Sequence, residues 1–297
     1  MRSAQRFTSN KATVRRLQRK TIEECLPDTL GALRYFGLPS TALADASEWQ
    51  YLFHRFVAVE RGETGSEWEM QHDLELTAFK TGLFDRISLL RGEIDAIIHR
   101  KKDAYGNRVP FPFDVVSLDY SGGLFYRDRR GTFTRLRAIE ETIQAQSKTK
   151  TNFVLLISCN LDSVDQGEVR RTLETIRTEL VRYGIASDDV LTAYLTSNRE
   201  ECRLKLYVPF FVNTQSSKFH YNCETKAVLF YEGNLNTRMM AFRFYLSFDA
   251  RTESLRPPRE RLAQIFNKPM LQILDGDPAE TMLEMPKLVP SDIQKHV

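Results

Sequence analysis

Apolar and polar positions along the chain follow two alternating periods. Short continuous apolar runs at 56–60, 86–90, 114–119 and 153–158 are strand-sized and rich in Val, Ile and Leu, as suits parallel strands buried on both faces. A weaker pattern at 30–38 predicts a strand before them. Between these runs the apolar period lengthens to that of helices. Residues 11–33 read as a helix approaching the fold, and 47–53 as a short helix burying Trp49 and Leu52. A helix is predicted at 67–82, with Ser66 as N-cap, Glu67 and Glu69 in the first turn and Gly82 at its end. Leu74, Phe79 and Leu83 are assigned to its inner side. Further helices are predicted at 94–99, at 135–146 (Leu136, Ile139 and Ile143 in one stripe) and at 166–183. Residues 200–213 fit a helical period although Pro209 interrupts it and their β-branched content suits a strand; a kinked helix packed on a sheet is the favoured reading.

Runs at 226–231 and 239–248 flank the turn-rich Glu232-Gly233-Asn234-Leu235-Asn236-Thr237, which predicts a β-hairpin. After Asp249 the character changes: six of the eleven prolines lie between Pro257 and Pro290, so this end reads as a wrapping or partly disordered tail. The expected organisation is a basic N-terminal helix or arm (1–29), an α/β domain (30–249) and a Pro-rich C-terminal tail (250–297).

Three of the strand-like runs lead into acids: Phe56-Val57-Ala58-Val59-Glu60, Ile87-Ser88-Leu89-Leu90 before Gly92-Glu93, and Phe113-Asp114-Val115-Val116-Ser117-Leu118-Asp119. In doubly wound sheets, ligands sit outside the carboxyl ends of the strands. Three carboxylates arriving at one such edge suit a ligand with ribose hydroxyls and an adenine amine, so a nucleotide-like cofactor is expected.

Composition changes this picture little. With 42% hydrophobic and 27% charged residues in 297, the chain reads as an ordinary soluble globular protein. No apolar stretch approaches the ~18–20 residues of a membrane span, so no membrane partner is expected. Cys25, Cys159, Cys202 and Cys223 are scattered, as in a reducing compartment, and cytoplasmic localisation is expected. Neither they nor the five histidines show metal-ligand spacing, and no metal is expected.

Five strands alternating with helices and followed by a hairpin form the most specific part of the layout. An all-parallel dinucleotide-binding sheet would finish with another βα unit. A methyltransferase-type sheet finishes with an antiparallel strand inserted between its last two parallel ones. On this layout the chain, from about Leu30 to Phe248, resembles the class I S-adenosylmethionine-dependent methyltransferases. The resemblance implies an α/β fold, a three-layer Rossmann-like methyltransferase sheet, mostly parallel with a terminal antiparallel hairpin. It implies S-adenosylmethionine as cofactor. The family's glycine loop corresponds to Phe36-Gly37-Leu38-Pro39-Ser40-Thr41, which has a single glycine, Gly37. The family's ribose-binding acid corresponds to Glu60, and its adenine-contacting acid or amide to Glu93, with Asp95 as second choice. Strand four ends in Asp119-Tyr120-Ser121-Gly122-Gly123, where the family places substrate-facing residues. This implies catalytic roles for Asp119, as proton acceptor or orienting group, and Tyr120, packed on acceptor or cofactor. Base-modifying relatives carry two prolines there as well; this chain has neither.

Seven basic residues and no acid fall in the first twenty positions. They suit a solvated helix or arm, a phosphate contact or an organellar transit peptide. A second basic run, Tyr126-Arg127-Asp128-Arg129-Arg130, follows the fourth strand. Either a solvated loop or a rim attracting an anionic substrate fits it. Arg15, Arg16, Arg19, Lys20, Arg127, Arg129 and Arg130 are thus the candidate nucleic-acid contacts. The expected function is methyl transfer to a nucleic acid or an acceptor associated with it. The alternative is a catalytically inactive methyltransferase-fold subunit that binds a protein partner. A nicotinamide-dependent oxidoreductase would need the Gly-x-Gly-x-x-Gly loop that this chain lacks. Neither a Gly-x-Ser-x-Gly elbow nor a P-loop is present.

Overall fold

The computed structural model describes residues 9–38, 43–60, 67–120, 122–161, 166–189, 191–192, 200–233, 237–251, 259–274 and 277–279, with backbone alone at 67–71, 166 and 277–279. Expectations placed on Ser66, Pro39-Ser40-Thr41, Ser121 and Asn234-Leu235-Asn236 therefore lie outside the described residues.

The chain begins with α1 (Ser9–Cys25), β1 (Leu33–Gly37), α2 (Ala44–Trp49), β2 (Phe53–Glu60), α3 (Glu67–Lys80), β3 (Ile87–Arg91) and α4 (Ile94–Arg100). It continues through β4 (Val115–Asp119), α5 (Thr134–Ser147), β5 (Phe153–Asn160), α6 (Gln166–Arg182) and α7 (Glu200–Lys218). The last elements are β6 (Tyr221–Glu232), β7 (Arg238–Phe248), α8 (Arg259–Asn267), β8 (Met270–Leu274) and β9 (Asp277–Ala279). The described strands form a nine-stranded sheet in the order β3-β2-β1-β4-β5-β7-β6-β8-β9. β1 to β5 pair in parallel, and β7 runs antiparallel between β5 and β6. The expected fold class is therefore the observed one, including the antiparallel strand inserted next to the last parallel position.

Strand alternation sorts side chains into two packed layers. Tyr35, Phe56, Val115, Val154 and Leu156 join Ile22 of α1, Leu43 and Trp49 beside and within α2, and Leu74 of α3 on one face. Phe36, Val57, Leu118, Ile157 and Phe242 meet α4 to α8 on the other. On α6 the buried Val169, Leu173, Ile176 and Leu180 make the stripe its amphipathic sequence requires, each burial worth about 1.5–3 kcal/mol. The buried amide of Gln146 on α5 accepts from Phe113 N at 2.9 Å and donates to Phe113 O, fixing the entry into β4.

Three local expectations change. On α3, Leu74 and Ala78 are buried, as is Leu83 just beyond the helix, but Phe79 is 73% exposed: five positions after Leu74, it turns well off the stripe that an i+4 residue continues. α7 continues past Pro209 to Lys218, five residues beyond the expected end, and Asn213 Nδ2 donates to the Pro209 carbonyl at 2.9 Å. In the C-terminal segment, β8 pairs in parallel with β6 and extends the sheet. α8 is tied in by the buried Lys205 Nζ, which donates to Phe266 O at 3.0 Å.

At the other end, α1 lies against β5, β6, β7 and β8. Buried Arg243 of β7 donates to Leu17 O and, at 2.7 Å, to Thr21 Oγ1, so the basic helix is part of the core packing. No helix among the described residues is long and apolar enough to cross a membrane.

Candidate functional site

The sheet order reverses at β1, with β2 on one side and β4 on the other. The register makes this switch point a notch. Gly37, the last residue of β1, lies level with Ala58 of β2 and Ser117 of β4. Glu60 and Asp119 each come two residues later, on the same faces of their strands as those partners. They therefore project one pleat beyond the end of β1 and flank it, on strands about 10 Å apart. Three of the five candidate residues, Gly37, Glu60 and Asp119, are thus brought together.

Glu60 is partly buried, and burial pushes its carboxyl up to about 7. Asp119 is likewise partly exposed, and no hydrogen bond or ion pair of its carboxylate occurs among the described residues. Glu93 lies on the adjoining loop, where Gly92 N donates to Glu60 O at 3.1 Å. It is exposed at the N-cap position of α4. The second choice for its role, Asp95, is occupied otherwise: Thr134 Oγ1 donates to it at 3.2 Å and Arg135 Nε lies 3.9 Å away.

Tyr120 goes elsewhere. Neighbours in a strand point to opposite faces, so Asp119 faces the α1 side while Tyr120 enters the core under α4 and α5, 3% exposed. Burial and the nearby Asp95 raise its phenol well above its ordinary pKa. The Arg135 guanidinium stacks 4.8 Å from the Tyr120 ring centre and donates to Gly123 O at 2.6 Å. A Cβ on Gly122 would come within 2.9 Å of that guanidinium, so this glycine makes room for Arg135.

Gly37 also has a packing reason. A Cβ there would lie 2.4 Å from Ser117 O and 2.7 Å from Tyr35 Oη. β4 fills the space in which a second side chain would otherwise stand.

Below the α1 face of the notch is a small polar pocket of about 20 Å³, open in part to solvent. Ser117 and Asp119 of β4, Ser158 of β5, Tyr231 of β6, Asp45 of α2 and Lys11, Val14, Arg15 and Gln18 of α1 line it. Arg15 Nε meets Asp45 Oδ1 at 2.6 Å. Burial raises Asp45 to about 6 in spite of Arg15, and the charge of Asp119 adds to the rise. Sequence reasoning did not pick out Ser117, Ser158 or Asp45. The available signal was a small polar residue near the carboxyl end of two otherwise apolar strands.

The basic residues divide. On α1, Arg15 is spent on Asp45, while Arg19 and Lys20 lie 3.8 Å from Glu23 and Glu24; Arg16 is exposed and donates to Thr13 Oγ1. Beyond β4, a tight turn is closed by Asp128 Oδ1, which accepts from Arg130 N and Thr132 N at 2.9 Å each. Tyr126, Arg127, Arg129 and Arg130 are exposed on it. Among the described residues, no cluster of His, Cys, Asp and Glu could hold a metal ion.

No protein-family profile and no curated protein matches the chain. Among solved structures it is similar to an O-methyltransferase from Bacillus cereus in complex with S-adenosylhomocysteine, at 12% identity over 78% of this chain and 80% of that one, with a TM-score of 0.43. An rRNA methylase from Streptococcus thermophilus is similar at 12% identity over 78% and 96%, with a TM-score of 0.41. A precorrin-6y C5,15-methyltransferase from Geobacter metallireducens is similar at 11% identity over 80% and 88%, with a TM-score of 0.38.

Proposed function

We propose that the protein is an S-adenosylmethionine-dependent methyltransferase acting on nucleic acid. The observation that carries this is the notch: Glu60 and Asp119 stand one pleat above Gly37 at the switch point of a sheet with an antiparallel β7 beside β5. Glu60 is the acceptor for ribose hydroxyls, since it is partly desolvated, a position that a pair of O–H donors relieves. Glu93, on the loop beside it, is the acceptor for the adenine amine. When bound, the cofactor supplies a sulfonium-activated methyl group. The chain's own residues position the acceptor and hold its proton. Asp119 is the proton acceptor or orienting group; Tyr120, on the other face, supports the strand end from within the core.

Nucleic acid is supported by the exposed Arg127, Arg129 and Arg130 on the turn that follows β4, with Tyr126 as a stacking surface. The matched charges of α1 make Arg15, Arg19 and Lys20 weaker candidates. Replacing Arg129 and Arg130 by Ala is expected to weaken binding to single-stranded RNA or DNA. It is also expected to flatten the slope of log K against log salt by about 1.5, measured by fluorescence anisotropy over a salt series. An unchanged slope moves the acceptor away from this turn.

The function itself is tested by incubating the full chain with methyl-labelled S-adenosylmethionine and total cellular RNA or DNA. Label transferred by the wild type and lost in Asp119→Asn is the expected result. The single glycine, whose free space β4 already fills, favours a second reading, a binding subunit without catalysis. Cofactor binding without transfer to any nucleic acid, in the presence or absence of a partner fraction, would support that reading.

A further inference from the structure

The carboxyl end of β3 carries a short basic hairpin that the proposed chemistry does not use. β3 is an edge strand, and residues 101–109 fold back onto its open side. Ala104 N donates to Arg91 O at 3.1 Å, and Arg91 N donates to Asp103 Oδ2 at 3.3 Å. Asp103, 4% exposed, also accepts from Tyr105 N at 2.9 Å and Asn107 N at 2.8 Å, so the hairpin's own acid is spent on its backbone. Lys102 and Arg108 form an antiparallel bridge, which places both side chains on one face, directly opposite each other. Like charges so placed repel. Both residues are exposed, as are Arg100 and Lys101, and no ion pair of these four occurs among the described residues. The helix dipole of α4 accounts for Arg100 and Lys101 at its end. It accounts for neither Arg108 nor the tip, where Tyr105 is 63% exposed and the Arg91 guanidinium lies 4.9 Å from its ring centre.

We propose that this hairpin is a docking surface for single-stranded nucleic acid, its phosphates bridging Lys102 and Arg108 and a base stacking on Tyr105. The proposal rests on the nucleic-acid reading above and adds a contact surface separate from the turn after β4. Arg91 is level with Glu60 in the β2–β3 register, so the hairpin backbone at Ala104 stands about 10 Å from that of Glu60. A phosphate between the two cations removes their repulsion through charge-assisted contacts that carry no sequence preference. An unpaired base can reach an exposed ring, whereas a duplex keeps its bases stacked on one another. An acidic protein segment would match the charge but offers Tyr105 no regular planar partner.

The test is fluorescence anisotropy of the full chain with labelled single-stranded RNA and DNA oligonucleotides over a salt series. Lys102→Gln combined with Arg108→Gln is expected to weaken binding roughly tenfold or more at low salt and to flatten the slope of log K against log salt by about 1.4. The thermal midpoint of this double variant is expected to equal or exceed that of the wild type, because a repelling pair is removed; a merely structural role would lower it. Tyr105→Ala is expected to weaken binding about tenfold with the slope unchanged, and Tyr105→Phe, which keeps the ring, to stay within about twofold of the wild type. If the wild type binds and replacing Arg129 and Arg130 weakens it while the hairpin variants do not, the hairpin surface is overturned and the nucleic-acid reading stands. If polyglutamate competes as well as an oligonucleotide and Tyr105→Ala has no effect, the surface fits an acidic protein segment and the proposal is overturned. If the wild type binds neither RNA nor DNA at low salt, the nucleic-acid reading fails and the hairpin surface with it.

Discussion

Replacing Gly37 by Ala is expected to destabilise the protein by about 3 kcal/mol, read as a lower midpoint in urea denaturation. The added methyl would sit 2.4 Å from the Ser117 carbonyl oxygen and 3.0 Å from Ser117 Cβ. Tyr35 Oη, 2.7 Å away, is the end of a side chain, but Ser117 is backbone fixed from its other side by the β4–β5 ladder. β1 and β4 must therefore separate at their carboxyl ends, where the notch and the pocket meet. A Gly37→Ala protein as stable as the wild type would show that the β1–β4 register at this position is wrong, and the notch with it.

Glu60 produces an effect of opposite sign, because it is a carboxyl held partly out of water. Its folded-state value of about 7 lies above its ordinary 4.5. The native state thus keeps a proton that the unfolded state loses. Its contribution to stability is full below the unfolded value, falls as pH rises from about 4.5 to 7, and is flat above that. Glu60→Gln removes the slope. The variant is expected to equal the wild type near pH 4 and to exceed it at pH 8 by about 2 kcal/mol, allowing for solvent screening at a partly exposed site. The comparison of the two proteins across pH isolates Glu60 from Asp45, Asp95 and Asp114, whose values are also raised by burial. Stability curves that run parallel from pH 4 to 8 would mean Glu60 is solvated or paired. A ligand that donates to the ionised carboxylate should bind more tightly as pH rises through 7, the reverse of the stability trend. A stabilising substitution that abolishes binding is the pattern expected of a site residue.

The parallel half of the sheet was legible because each strand is buried on both faces and so writes an unbroken apolar run, as at Val115-Val116 and Phe153–Asn160. The hairpin was legible from its turn residues. β8 was hidden because Pro269 and Pro278 stand on either side of a strand only five residues long, and its pairing with β6 is a long-range contact that leaves no local period. The acids at the strand ends were visible as residue types, but their grouping depended on register, which no single strand records. Tyr120 could have been separated from Asp119 by alternation alone. The role of α1 was obscured by its charge: the basic residues suggested an outside partner, whereas Asp45 and Glu23 meet two of them within the chain.

The central claim is that the notch above Gly37 binds the cofactor through Glu60. Isothermal titration of the full chain with S-adenosylhomocysteine at pH 8, beside Glu60→Ala, tests it most directly. Micromolar binding by the wild type, weakened about a hundredfold or more in a folded Glu60→Ala protein, is the result this account predicts. Equal affinity in both proteins, or no binding by the wild type at millimolar ligand, would contradict it.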